Sequence, residues 1–166
     1  GRIVLMQKED KAVSKTASET QGQCYCGSVQ VVVSGPAALS GYCHCLECRK
    51  WHSAPINAFS VWPTASVSIE GETLISKQSD ESGRVFCRLC GGCVANLKAS
   101  LGMTVVYPMT LAGLGGCAPF EPSFHIFYGE RVIDFADGLP KFIELPSDFG
   151  GSGEMTAEAS HSGWRN

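Results

Sequence analysis

Seven of the nine cysteines in this 166-residue chain stand in three tight clusters, Cys24-x-Cys26, Cys43-x-Cys45-x-x-Cys48 and Cys87-x-x-Cys90. Thiolates one to three residues apart, gathered from separated stretches of chain, are how proteins assemble tetrahedral zinc sites. A closed all-thiolate site uses four ligands, and that leaves three for a second site with an open coordination position. Closed sites hold folds together; open ones can do chemistry. Gly22 and Gly27 flank the first cluster, and Cys87-Arg88-Leu89-Cys90-Gly91-Gly92 has the form of a zinc-ribbon knuckle whose backbone N–H groups can donate to sulfur. Cys24, Cys26, Cys87 and Cys90 therefore read as a structural clamp. Cys43, Cys45 and Cys48 read as a local, open site able to present a thiol, a water or a carbonyl oxygen. The expected cofactor is Zn²⁺, two ions per chain.

The neighbours of the open cluster divide by what they could do there. His44 lies between two ligands and on extended backbone would point away from them, as a packing group or a support for a ligand. Glu47 reads as a solvated carboxylate. His52 and His125 are the candidates for the acid and base. Arg49, Lys50, Arg84 and Arg88 sit beside the cysteines, where they would balance thiolate charge or bind substrate, and Arg49 or Lys50 could receive a substrate carboxylate. Cys93 reads as a small buried apolar residue, and Cys117 as incidental.

The elements that must carry these groups look like those of an all-β protein. Short β-branched or aromatic runs recur at Ser28–Val33, Leu39–Tyr42, Asn57–Val61, Ser66–Glu70, Thr73–Lys77, Arg84–Phe86, Val94–Leu97, Thr104–Tyr107, Phe124–Tyr128 and Arg131–Phe135. Glu70-Gly71-Glu72 and Tyr128-Gly129-Glu130 read as hairpin turns. One short helix is expected over Leu46–Trp51, where Cys45 and Cys48 would share a face. Residues 1–21 read as a flexible polar leader, 22–145 as the zinc-binding domain, and 146–166 as a flexible tail with Trp164 its one large anchor. The fold class is thus mainly β, a folded-over sandwich or barrel-like pair of sheets with short helical turns.

Composition limits the partners. Hydrophobic residues make up 44% and charged residues 17%, ordinary for a globular domain. The formal net charge of −3 gives no electrostatic footprint for nucleic acid. No run approaches a membrane span, and Ile3-Val4-Leu5-Met6 turns polar too soon for a secretory signal. The cysteines are then better read as reduced thiols or ligands in a cytoplasmic protein than as disulfides.

Gly22-x-Cys24-x-Cys26-Gly27-x-Val29, Cys43-His44-Cys45-x-x-Cys48-Arg49-Lys50 and Phe86-Cys87-x-x-Cys90-Gly91 occur in the order of one family. With Pro122-Ser123-Phe124-His125-Ile126-Phe127 and Asp137-Gly138-Leu139-Pro140-Lys141-Phe142, the chain from Gly22 to Phe142 resembles the glutathione-dependent formaldehyde-activating enzymes, a family that includes centromere protein V. The resemblance implies the Mss-four-like fold, the structural zinc on Cys24, Cys26, Cys87 and Cys90, and the active-site zinc on Cys43, Cys45 and Cys48. It also implies a carbon–sulfur lyase that adds glutathione to formaldehyde, giving S-hydroxymethylglutathione. A family enzyme of specialised metabolism and a non-catalytic zinc-stabilised binding module are the competing readings. The expected partners are a small thiol and an aldehyde, with a homodimer through an exposed sheet edge compatible with the pattern.

Overall fold

The computed structural model describes residues 18–111 and 120–165. Two sheets form its body. The smaller has three antiparallel strands, β1 (Glu19–Gln23), β2 (Val29–Ser34) and β5 (Val67–Gly71), in the order β1-β2-β5. The larger has seven, β3 (Leu39–Cys43), β4 (Asn57–Pro63), β6 (Thr73–Ser79), β7 (Ser82–Cys87), β8 (Cys93–Lys98), β9 (Met103–Val106) and β10 (His125–Ile126). Their order is β10-β3-β4-β9-β8-β7-β6. A last ladder pairs β11 (Ile133–Asp134) with β12 (Gly163–Trp164). The single α-helix among the described residues, α1 (Leu46–His52), follows β3.

Alternation decides which side of each strand faces inward. Val29, Val31 and Val33 of β2 are wholly buried and meet Trp62, Val85, Ala95 and Val106 from the larger sheet, forming the core between the layers. Each such valine stabilises the packed state by roughly 1.5–3 kcal/mol relative to exposure. The opposite face of the larger sheet is set by register. Cys43 pairs with Asn57, Leu39 with Val61, Val61 with Val105, Val105 with Asn96, and Asn96 with Arg84. Paired and alternate residues share a face, so Cys43, Asn57, Asn96, Lys98 and Arg84 all project to the side away from this core, where Cys43 joins Phe59 and Val61 in a second buried cluster.

Both expected hairpins are corrected. Gly71 does not turn a strand back on itself: β5 pairs with β2 and β6 with β7, so the chain crosses between sheets there. Its φ of +119° suits glycine, and a Cβ would collide with the Ser28 carbonyl. Tyr128–Glu130 is a 3₁₀ turn, after which the chain joins β12, while β10 runs parallel to β3.

The two flanks also differ from their polar reading. Residues 1–17 lie outside the described part, but Glu19–Gln23 pairs along β2. The segment after 145 is hydrogen-bonded to the body through Ile143 N–H to Glu154 O, Thr156 N–H to Lys141 O and Arg165 N–H to Val132 O. Backbone pairing and ion pairs hold these stretches, with little apolar surface involved, which is why composition made them look loose.

Candidate metal centres

The clamp forms from two turns brought together by the layered sheets. Cys24 and Cys26 precede β2, and Cys87 and Cys90 form the knuckle between β7 and β8. All four sulfurs lie within 4.8 Å of one another, with Cys24–Cys26 at 3.7 Å and Cys26–Cys87 at 3.8 Å. A tetrahedron with Zn–S bonds of about 2.3 Å has edges of about 3.8 Å, so the donor set fits zinc. Backbone N–H groups of Val29, Leu89 and Cys90 donate to Cys24 and Cys87 sulfurs at 3.3–3.5 Å. The Ser28 hydroxyl, then the Cys90 N–H, hold Cys87 down at about 6, closer to the thiolate a metal needs.

Cys43 ends β3, Cys45 caps α1, and Cys48 lies in its first turn. The Cys48 N–H donates to Cys45 Sγ at 3.3 Å, so the ligand is itself the helix N-cap. At the same end, Glu130 Oε2 accepts from the Leu46 N–H at 2.7 Å. The three sulfurs again lie within 4.8 Å of one another. Contacts from Cys43 and Cys45, with Arg84 adding to them, hold Cys48 down at about 3. Contacts with Cys45 and Cys48, and then burial, drive Cys43 strongly the other way. Sulfurs this crowded cannot all ionise alone, and a divalent cation relieves that conflict. The donor set fits a three-thiolate zinc.

Arg84 reaches this cluster from β7. It is 5% exposed, its Nη atoms stand 3.8 and 4.0 Å from Cys48 Sγ, and its guanidinium lies 5.4 Å from the Trp51 ring centre. Three residues on, Cys87 emerges from the other face into the clamp. One strand thus serves both centres.

The acid–base candidates occupy different places. His52 lines a cavity of about 560 Å³ with Tyr42, Asn57, Cys93, Tyr107 and Cys24 of the clamp, and the cavity reaches the open cluster's side through Asn57, the register partner of Cys43. Its ring meets Tyr107 edge-on at 4.4 Å, and its buried Nε2 has no partner among the described residues. Burial, then Arg84, pulls it down to about 4, so it is a neutral base at pH 7. His125 is instead fully buried, and direct contact with a substrate is closed to it. It lies behind the open cluster in a chain of 2.8 Å contacts: His44 Nε2 to His125 Nδ1, His125 Nε2 to Asp137, Asp137 to Lys141 Nζ, and Lys141 to Glu158. His44 turns away from the cysteines, as alternation requires.

Arg49 and Lys50 do not sit together at the sulfurs. Arg49 donates to the His44 and Glu130 carbonyls at 3.1 and 3.0 Å, pinning α1 to the turn before β11. Both Arg49 and Lys50 border a groove with Leu46, Val132 and Trp164, which none of the three cysteines lines. Cys93 is half-buried against the cavity, where burial raises its thiol. Cys117 falls outside the described residues. Sequence reasoning missed Lys98, Tyr107 and the Asp137–Lys141–Glu158 network. Strand alternation carried the signal for Lys98; nothing local marked the network.

A solved Rhodobacter sphaeroides protein is similar at 19% identity and a TM-score of 0.47, over 57% of this chain and 90% of that one. An uncharacterized lyase of Schizosaccharomyces pombe is 33% identical over 73 residues, 44% of this chain and 53% of its own length. The chain thus spans about half the length of that curated relative. The family model described as glutathione-dependent formaldehyde-activating enzyme matches residues 19–130, from the first strand through both cysteine centres. By that match the chain belongs to the glutathione-dependent formaldehyde-activating enzyme family.

Proposed function

We propose that the chain is a zinc-dependent carbon–sulfur lyase that joins a thiol to an aldehyde reversibly, with glutathione and formaldehyde the pair its family name suggests. The observation that carries this reading is the three-cysteine cluster, set beside Arg84 on the outer face of the sheet and close to a cavity walled by a neutral histidine. Zinc held by Cys43, Cys45 and Cys48 would lower the pKa of a thiol at its open position.

The chain's own groups do the rest. Cys43 and Cys48 are fixed by strand and helix, so the thiol is presented in one orientation. Arg84 donates to Cys48 and tempers the charge of the cluster. The thiol S–H bond breaks, its sulfur adds to the aldehyde carbon, and the carbonyl oxygen takes up a proton. His52 Nε2 is the group we assign to carry that proton, since it is neutral, unpartnered and lines the cavity. His125 and His44 act behind the ligands by holding the Cys43–Cys45 segment in place. The name of the Schizosaccharomyces pombe relative, a lyase, supports the class of reaction.

The test combines metal analysis with exchange NMR. Two zinc ions per chain, and faster exchange between free and thiol-bound formaldehyde with the wild type than with Cys45→Ser, are the expected results. One zinc and no exchange above the uncatalysed rate would return the chain to the non-catalytic reading, and full exchange activity in Cys45→Ser would show that the three-cysteine site is not the working one.

A further inference from the structure

Two cations sit on the outer face of the large sheet beside the open cluster, and neither ends on a carboxylate among the described residues. Arg84 is the first. Its Nη atoms face Cys48, yet its Nε is buried with no hydrogen-bond partner among the described residues. Leaving such a donor bare costs about 1–3 kcal/mol, so an acceptor that arrives there is rewarded. Lys98 is the second. It shares the face with Asn96, whose register partner is Arg84, and its Nζ donates to the Ser82 hydroxyl at 3.2 Å. Ser82 passes its own proton to Asn96 Oδ1 at 2.9 Å, which fixes the row Lys98–Ser82–Asn96 alongside Arg84.

Burial, then Arg84, pulls Lys98 below the usual ammonium range, while the three cysteines push it back. The two cations and the sulfurs therefore share one electrostatic neighbourhood. Three thiolates with one Zn²⁺ carry about −1, and the two cations turn that into about +1. Of the other basic groups near the cysteines, Arg49 is committed to backbone carbonyls and Arg88 to Glu72 at 3.3 Å, while Lys50 borders the groove beside Leu46 and Trp164.

We infer that Lys98 and the Nε edge of Arg84 form a subsite for the carboxylate of a thiol substrate whose sulfur is held at Cys43, Cys45 and Cys48. This rests on the reading that a thiol binds at that cluster. It names the residues that would hold the acid group of the thiol, and it moves the carboxylate handle from Arg49 and Lys50 to β7 and β8. A charge-assisted pair of this kind is worth about tenfold in affinity.

The test is calorimetric titration of the zinc-loaded full chain with 3-mercaptopropionate and with 1-propanethiol, which keeps the thiol and lacks the acid. The carboxylate thiol should bind about tenfold more tightly, and that preference should shrink as salt is raised. Lys98→Met should bring 3-mercaptopropionate down to the level of propanethiol, and Lys98→Arg should recover most of the difference. Equal binding of the two thiols by the wild type, or a preference that persists in Lys98→Met, overturns the subsite while leaving thiol binding intact. Failure of both thiols to bind overturns the thiol reading itself, and the subsite with it.

Discussion

Arg84 Nη2 stands 3.8 Å from Cys48 Sγ, from a strand whose next turn supplies Cys87 to the other centre. A buried arginine stacked on Trp51 and aimed at a zinc-ligand sulfur is a fixed counter-charge, and its geometry is planar. Arg84→Gln should weaken zinc at the three-cysteine site by about tenfold, from the loss of a charge-assisted contact. Arg84→Lys should not fully restore it, because an ammonium cannot both stack and fork. Chelator competition, following the two ions separately, reads this directly. The clamp should keep its metal in both variants.

The two centres should fail differently. Cys87→Ser removes a buried clamp ligand and should leave a chain that no longer unfolds cooperatively. Cys45→Ser should remain folded by circular dichroism while losing one zinc and at least about a hundredfold in exchange rate. A folded Cys87→Ser with normal melting would show that the sheets hold without the clamp.

Lys141 is 1% exposed and joins Asp137 to Glu158, both at 2.8 Å. Burial would raise Asp137, but Lys141 and then His125 outweigh it and hold the carboxyl at about 2. Lys141→Met should cost about 1–3 kcal/mol in urea unfolding, discounted for the partly exposed carboxylates. It should also loosen His125 and His44 behind the cysteines, visible as a shift in their imidazole NMR signals. Glu158→Gln should cost less than about 1 kcal/mol.

Acid should destabilise the fold through its buried imidazoles. Burial, then His125, pulls His44 from 6.5 to about 3, so the folded chain refuses a proton that the unfolded chain takes up near pH 6.5. Between these values the unfolded state binds more protons, and stability falls as pH drops from about 7 towards 4. Protonation of the thiolates acts in the same direction, so the measurement is a difference. Urea midpoints of wild type and His44→Gln should converge as pH falls, since only the wild type carries the His44 penalty. Parallel curves would mean His44 is not held neutral.

Much of the site was legible in the chain because metal ligands declare themselves by residue type and spacing. Cys24, Cys26, Cys87 and Cys90, and separately Cys43, Cys45 and Cys48, each come together as the spacing required. The strands were legible where alternation was strong, as in β2 and β5. What stayed hidden was long-range. Gly71 looked like a hairpin because a local signal cannot tell a turn within a sheet from a crossing between sheets. His125 looked available because imidazole chemistry is read from the residue and its burial is decided by β3, 81 residues away at His44. Lys141 stood out only as part of the family-like segment 137–142, and tertiary contact alone makes Glu158 its partner. Arg49 and Lys50 drew attention by adjacency to Cys48, yet a helix turns consecutive residues about 100° apart. Arg84 and Lys98, distant in sequence, were brought beside the sulfurs by sheet register.

That register has a consequence for how the protein comes to be correctly assembled. β7 presents Arg84 to one centre and Cys87 to the other, with an irregularity between Val85 and Phe86 fixing the pairing with β8. A slip of a single residue would invert every side chain on the strand. The guanidinium would turn into the oily interior while Cys87 faced outward, so one shift would disable both centres together. Gathering the four clamp sulfurs therefore proof-reads the weave of the sheet: a misthreaded chain can neither bring them together nor set Arg84 beside Cys48.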